Sequence, residues 1–519
     1  MQLKLYSKGG HLCHMQDNDK KRRNVAETND NECVGYQDFA VAAIFVLYCC
    51  LYAFLRLSVS STMELDEAEQ FLNGSFFSLG YAQQPPLYSW LVYGMTKLFG
   101  LNIQAIIATK YTIVFFFYFS FYLIARSFWN IRASLLITGT LLLFPTYAYE
   151  FNRDLSHSIL VAAMASITCY IFVRLLRRQG TLDYLLLGAS IGLGFLSKYN
   201  FAFFLLALIL AAASFHEGRR SLFNKKIFLS LASFVLIVSP HVIWLHQNYY
   251  LTFRHALTKA DAGALDLSSA RQILHIIVSA YTGVLAFLAV CLIFFGFSIP
   301  WRNVLHHSRL RLHLFHYLSF YGLTIPLIII TVLKTGRFSE RWLVPFLFSL
   351  PLAVFSEANI QLSNRRFRLL GYLCIFIAVA ILAARSFIGF FPDLSGKVER
   401  IHTPFRYVSQ QLSQELAERG IDDLRNITII TDNEFLAANI VACFPGAKSF
   451  LLSHDHRIVK STLGSKAKVL LWDTAKQGND IPEEYAREFP SALSLRPLRA
   501  YFLHSSNFPP FVLGAALVQ

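Results

Sequence analysis

Eleven apolar runs dominate the chain, at about 39–60, 105–125, 133–149, 157–173, 182–196, 199–215, 227–245, 273–299, 314–333, 342–356 and 369–391. Most approach or exceed the roughly 17 residues that a helix needs to cross the hydrocarbon of a bilayer. Hydrophobic residues make up 55% of the 519 and charged residues 15%, too apolar a balance for an ordinary soluble protein. The runs predict a polytopic α-helical membrane protein with about 11 transmembrane helices.

A formal charge of +15 would suggest a nucleic-acid partner in a soluble chain. Here the positive residues cluster between the apolar runs, as cytoplasmic loops require, so the charge reports topology and no nucleic acid is expected. Residues 1–38 form a polar tail with Lys20, Lys21, Arg22 and Arg23, expected to face the cytoplasm. No small-residue cleavage pattern follows Val59, so the first run should remain as an anchor. The segment 184–215 decides the topology. It is flanked by Arg174, Arg177 and Arg178 on one side and Arg219, Arg220, Lys225 and Lys226 on the other, and only a hairpin broken at "SKYN" keeps both clusters inside. The loops 61–104, 150–156, 197–200, 246–272 and 334–341 then share the outer face with everything after about residue 392.

The first of these loops carries Glu64, Asp66, Glu67 and Glu69 directly after an apolar run. Ser61 and Glu64 have the spacing of a capping box, which predicts a surface helix ending near Asn73–Gly74. A second helix should start at Pro86, with Leu87, Trp90, Leu91, Gly94 and Leu98 on one face and Tyr88 and Trp90 in the headgroup region. From about 393 onward the pattern changes. "NITIITDNE" and "KAKVLLWDT" read as strands and "PFRYVSQQLSQELAERG" as an amphipathic helix, together a small α/β domain at 393–519. Of the eight cysteines only Cys443 lies in this polar part, so no internal disulfide supports it.

An Asp-Glu pair after the first transmembrane helix, followed by "GY-x-x-x-PPL-x-x-WL", resembles the GT-C class of membrane glycosyltransferases, in the group of protein O-mannosyltransferases and lipid A aminoarabinose transferases. "NRDLSHSIL", "GLGFLSKYNF", "SPHVIWL" and "SERWLVP" continue the likeness in order over roughly residues 40–350. The resemblance implies a polyprenyl-phosphate sugar donor, transfer on the periplasmic face of the inner membrane, and a glycolipid, polysaccharide or protein acceptor. Gln84 departs from it, standing where the aminoarabinose transferases usually carry Lys before the Pro pair. The chain also has fewer spans than those enzymes.

Such a transfer needs a base for the acceptor hydroxyl and cations for the departing phosphate. Asp66 is the candidate base and Glu67 the runner-up. Asp154 is a second candidate acid or, alternatively, a cap for the helix "LSHSILVAA". Lys198 binds phosphate or snorkels to headgroups. Arg254, Lys259, Lys334, Arg337 and Arg341 form a pool of outer cations, with Arg337 and Arg341 favoured and Arg254 a further candidate. Tyr81, Gln84 and Tyr199 are candidates for substrate contact. His241, His246 and His255 lack the spacing of a metal pair on one helix face, so neither a metal nor another cofactor is expected; His157, His306 and His307 read as polar boundary residues. Two rivals, a transporter or lipid flippase and a membrane-anchored sensor, fit less well. A transporter predicts charges inside the spans and two related halves, and a sensor leaves the acidic loop unexplained.

Overall fold

The computed structural model describes residues 35–81, 84–249, 270–295, 310–333, 340–357, 365–452 and 467–518. Most of the polar tail, together with Arg254, His255, Lys259, His306, His307, Lys334 and Arg337, lies outside them. The helices that place the site are α1 (Tyr36–Val59), α2 (Leu65–Asn73), α3 (Leu87–Phe99), α4 (Ile103–Arg126) and α5 (Ile131–Gly139). They are followed by α6 (His157–Arg178), α7 (Thr181–Ser197), α8 (Phe201–Ala213), α9 (Ile227–Gln247), α10 (Ala270–Phe295), α11 (Leu310–Leu333), α12 (Ser349–Glu357) and α13 (Arg365–Phe390).

Among the described residues six helices have the length and apolarity of a membrane span. Two bent pairs, Ile131–Leu143 with Thr146–Arg153 at 89° and Phe201–Ala213 with His216–Leu222 at 117°, raise the number to eight if each is one span. The remaining runs form shorter apolar helices, among them Thr181–Ser197 and Val344–Ser356. The "SKYN" break is real: α7 stops at Ser197 and α8 begins at Phe201. Close packing of α7 on α9 needs a bare backbone at Gly188, where a Cβ would fall 2.0 Å from the Ser230 carbonyl oxygen.

The C-terminal part is an α/β unit, as its strand and helix signals predict. Strands β1 (Ile427–Thr431), β2 (Lys448–Leu451), β3 (Ala467–Asp473), β4 (Ala492–Ser494), β5 (Leu498–Ala500) and β6 (Phe511–Val518) form one sheet in the order β2-β1-β3-β6-β4, with β5 also on β6. The pairs β1–β2 and β1–β3 are parallel, whereas β6 runs antiparallel to its neighbours. Every residue of β1 is buried, the mark of a central strand covered on both faces. Helices α14 (Phe405–Ala417) and α15 (Glu434–Cys443) cover one face through Val408, Leu412, Leu436 and Ile440. Trp472 and Tyr485 fill the other.

Candidate active site

The acidic loop is held from three directions. Helix α2 starts one turn later than the Ser61 box predicts, with Glu64 as its N-cap and Glu64 and Glu67 as the box. The reason is tertiary. Thr62 donates to the Thr403 carbonyl (2.8 Å), and Asn439 of α15 brackets the Met63 peptide, accepting from its N–H (2.8 Å) and donating to its carbonyl (3.3 Å). These bonds keep 61–63 extended. Below them, the Arg56 guanidinium makes a bidentate buried pair with Glu67 (2.6 and 3.2 Å) and donates to the Ser60 and Thr62 carbonyls. Both carboxylate oxygens of Glu67 are thereby engaged.

Asp66 and Asp154 cap each other's helices. Asp66 Oδ2 accepts from the Ser156 N–H (3.0 Å) and hydroxyl (3.1 Å), which anchors it at the start of α6. Asp154 Oδ1 accepts from the Asp66 N–H (3.1 Å). The cap expected of Asp154 on "LSHSILVAA" is thus exchanged: Asp154 caps α2, and Asp66 serves α6. The fold brings Lys198 to the same place, with its Nζ donating to Ser158 Oγ in the first turn of α6 (2.9 Å). Arg400 reaches to 4.0 Å from Asp154. Asp66 Oδ1 accepts no hydrogen bond from a described residue.

Burial, then the Asp154 and Glu67 carboxylates, push the Glu64 carboxyl up to about 7. Burial, then Asp66 and Glu67, push Asp154 up to about 6. Glu67 goes the other way. Its burial alone would raise it, but the Arg56 guanidinium and the Lys110 ammonium outweigh that and hold it below the usual range.

The other candidates lie around this centre. Arg341 approaches Glu150 (3.7 Å), a carboxylate shared with Arg153, and is half exposed. Tyr199 hydrogen-bonds His241 Nε2 (3.2 Å), whose Nδ1 meets the Leu79 carbonyl (3.0 Å); this ties the "SKYN" turn to the first loop through α9. Tyr81 is buried and donates to the Phe76 carbonyl, and Gln84 is half-buried ahead of the Pro pair. Among the described residues no group of three or more His, Cys, Asp or Glu side chains is placed to hold a metal ion.

The sequence profile of the family described as Dolichyl-phosphate-mannose-protein mannosyltransferase matches residues 83–244. The chain is 29% identical over 456 residues to the lipopolysaccharide core galacturonosyltransferase RgtB of Rhizobium johnstonii, covering 86% of this chain and 90% of that protein. It is 26% identical over 507 residues to RgtA of the same organism, covering 92% and 96%. Its fold matches that of ArnT from Cupriavidus metallidurans, with a TM-score of 0.58 in the apo state and 0.56 bound to undecaprenyl phosphate, at 10% and 11% identity. Each match covers 93% of this chain and 98% of ArnT. The chain is a glycosyltransferase with a GT-C-like membrane fold.

Three features of this glycosyltransferase escape the sequence reading. Buried charges do occur inside its helices: Arg56, Lys110, which donates to the Arg153 carbonyl (3.2 Å), and Arg385, paired with Glu399 (2.9 Å). Each interrupts an apolar run, and a lone cation there signals a buried partner. His157 is no boundary residue. It is buried, bridges Gln70 (3.2 Å) to the Ser197 carbonyl (3.0 Å), and lies 5.4 Å from the Tyr88 ring, which is itself buried instead of reaching headgroups. Finally, α3 packs through Leu87, Tyr88, Ser89, Val92 and Thr96, so the expected apolar face bearing Leu91 and Leu98 turns outward.

Proposed function

We propose that the enzyme transfers a uronic acid from a polyprenyl-phosphate donor to the lipopolysaccharide core on the periplasmic face of the inner membrane, with inversion at C1. The names of the two curated relatives support the sugar and the acceptor. The undecaprenyl phosphate bound to ArnT supports the class of donor carrier. In this reading residues 1–38 are a cytoplasmic tail, 39–392 the transmembrane domain with its first periplasmic loop at 61–104, and 393–519 a periplasmic α/β domain.

The observation that carries the mechanism is Asp66, fixed through Oδ2 at the start of α6 with Oδ1 left open, beside Lys198 on the same helix start. Asp66 Oδ1 takes the proton from the acceptor hydroxyl as its oxygen bonds to C1. The C1–O bond to phosphate breaks, and its electron pair leaves with the lipid phosphate, which Lys198, Arg341 and, from outside the described residues, Arg254 and Arg337 neutralise. Asp154 holds the loop through the Asp66 N–H, Glu67 positions it through Arg56, and Tyr81, Gln84 and Tyr199 bound the sugar side. No nucleotide is required, because the lipid phosphate is the leaving group.

The test is reconstitution of the full chain in nanodiscs with polyprenyl-phosphate galacturonate and lipopolysaccharide lacking the terminal core uronic acid. Mass spectrometry should find the core heavier by one uronic acid, and Asp66→Asn should lose at least about 10²-fold in rate while still binding donor. An Asp66→Asn enzyme with unchanged rate would remove Asp66 as the base. An unaltered core with the native enzyme would remove the reaction.

A further inference from the structure

The α/β unit carries a groove that the transfer chemistry does not use. It is an open groove of about 1110 Å³ between α14, α15 and the turn at 422–425, and Ser61 of the first loop is part of its lining. Its wall is a polar stripe: Arg406, Ser409, Gln410 and Ser413 fall on one face of α14, opposite the core residues Val408 and Leu412. Arg406, Gln410, Ser413 and, across the groove, Asp422 make no hydrogen bond or ion pair with a described residue. The Ser409 hydroxyl is buried and lies against the Cys443 thiol.

We infer that this groove binds the saccharide of the acceptor and delivers it to the first loop. Three observations converge on a carbohydrate chain. First, Arg406, Gln410, Ser413, Asp422, Asp423 and Arg425 give the walls both donors and acceptors, which suits hydroxyl-rich ligands better than a lipid tail. Second, the volume exceeds the roughly 300–1,000 Å³ of a small-molecule pocket and suits an oligomer. Third, α15 lines the groove with Ala442 and Cys443 and, one turn earlier, holds Met63 through Asn439, so one helix joins the groove to the loop that bears Asp66. The inference rests on the proposed transfer to lipopolysaccharide core, and it assigns to the C-terminal unit the recognition of that substrate.

The test uses the full chain in nanodiscs and, as probe, core oligosaccharide released by mild acid from lipopolysaccharide of a strain lacking this enzyme. Binding and steady-state rates are measured for the native protein, for Arg406→Ala with Asp422→Ala, and for Gln410→Trp, which fills the groove with bulk instead of removing contacts. Both variants should weaken oligosaccharide binding and raise the acceptor KM about tenfold or more, with donor KM and kcat at saturating acceptor within about twofold. Unchanged acceptor binding in both, or no binding by the native protein, overturns the inference. So does a parallel loss for donor and acceptor, which would mark a structural role. If the native enzyme binds the oligosaccharide through the groove yet transfers nothing to it, the groove stands and the proposed reaction falls.

Discussion

The two ends of the helix bundle handle charge in opposite ways. At the end formed by the starts of α1 and α7, cations are in excess and Asp38 and Asp183 each meet one. Asp38 accepts from the Tyr122 hydroxyl (2.5 Å) and faces Arg126 (3.4 Å), and Asp183 faces Arg174 (3.1 Å). Spare cations there go to carbonyls: Lys226 donates to Gln179, and Arg177 donates to Ser127 while lying over the Phe128 ring. At the other end Glu64, Asp66, Glu67 and Asp154 crowd together with only Arg56 fully committed to one of them. Paired charge at the first end fixes helix ends. Surplus carboxylate at the second leaves an oxygen able to accept a proton, the property a transferase base requires.

The sharpest way to break this comparison is to unpair one bridge at each end. Arg56→Met leaves Glu67 buried without its cation, about 4% exposed on each side of the pair, and should cost about 3–5 kcal/mol. Arg174→Met removes a partner that is 31% exposed, and solvent screening should limit the loss to about 1 kcal/mol. Thermal unfolding in detergent measures both. Equal losses would mean that the first-loop pair is no more buried in effect than the far one.

Next in size is the Asn439 bracket. Asn439→Ala frees the Met63 peptide while leaving Asp66 and its partners intact, so kcat should fall on the order of tenfold to a hundredfold through loop misplacement. The unfolding temperature should move by only a few degrees. An unchanged kcat would show that Asp66 is placed from below, by Arg56 and Ser156, without help from the C-terminal unit.

These two variants also mark what the sequence can and cannot disclose. Apolar runs, the "SKYN" break and the β-rich tail are local signals: the runs appear as helices, six of them among the described residues long enough to span, and the break and the strands fall where the sequence places them. Asp66, Asp154 and Lys198 were legible as neighbours because loop parity across a membrane is a one-dimensional count. Asn439 was not, since its partner lies 376 residues away and nothing local in "EFLAANIVAC" separates it from an ordinary helix residue. Arg56 and Lys110 vanish in a hydropathy average, which one cation in a window barely lowers. The outward turn of Leu91 and Leu98 has another cause: where the surroundings include lipid, an apolar face need not point at protein.

A smaller effect belongs to pH. Asp154 is pushed up to about 6, so it is ionised above that value and protonated below it. With Asp154 neutral, its hold on the Asp66 N–H weakens and the local negative charge falls. The rate kcat/KM should therefore decline as pH drops through about 6, approaching tenfold per unit, and Asp154→Asn should flatten this limb while lowering the plateau. An Asp154→Asn enzyme that keeps the native limb would assign the titration elsewhere.

The smallest expected change tests the surplus itself, through stability. Glu64 is buried and its carboxyl is pushed up to about 7, from 4.5. A raised folded-state value for an acid means that the native fold prefers the protonated form. Its penalty is absent below about 4.5, grows as pH rises toward about 7, and is constant above. Glu64→Gln removes the charge but keeps an oxygen able to accept in the α2 cap, so at pH 8 it should stabilise the protein by about 1–2 kcal/mol. At pH 4 the two proteins should unfold together. The same exchange at the cation-rich end, Asp38→Asn, should destabilise at pH 8, because there the charge is matched by Arg126 and the Tyr122 hydroxyl. Opposite signs at the two ends would establish that the bundle stores uncompensated negative charge around the proposed base; the same sign at both would reduce the acidic loop to ordinary helix capping.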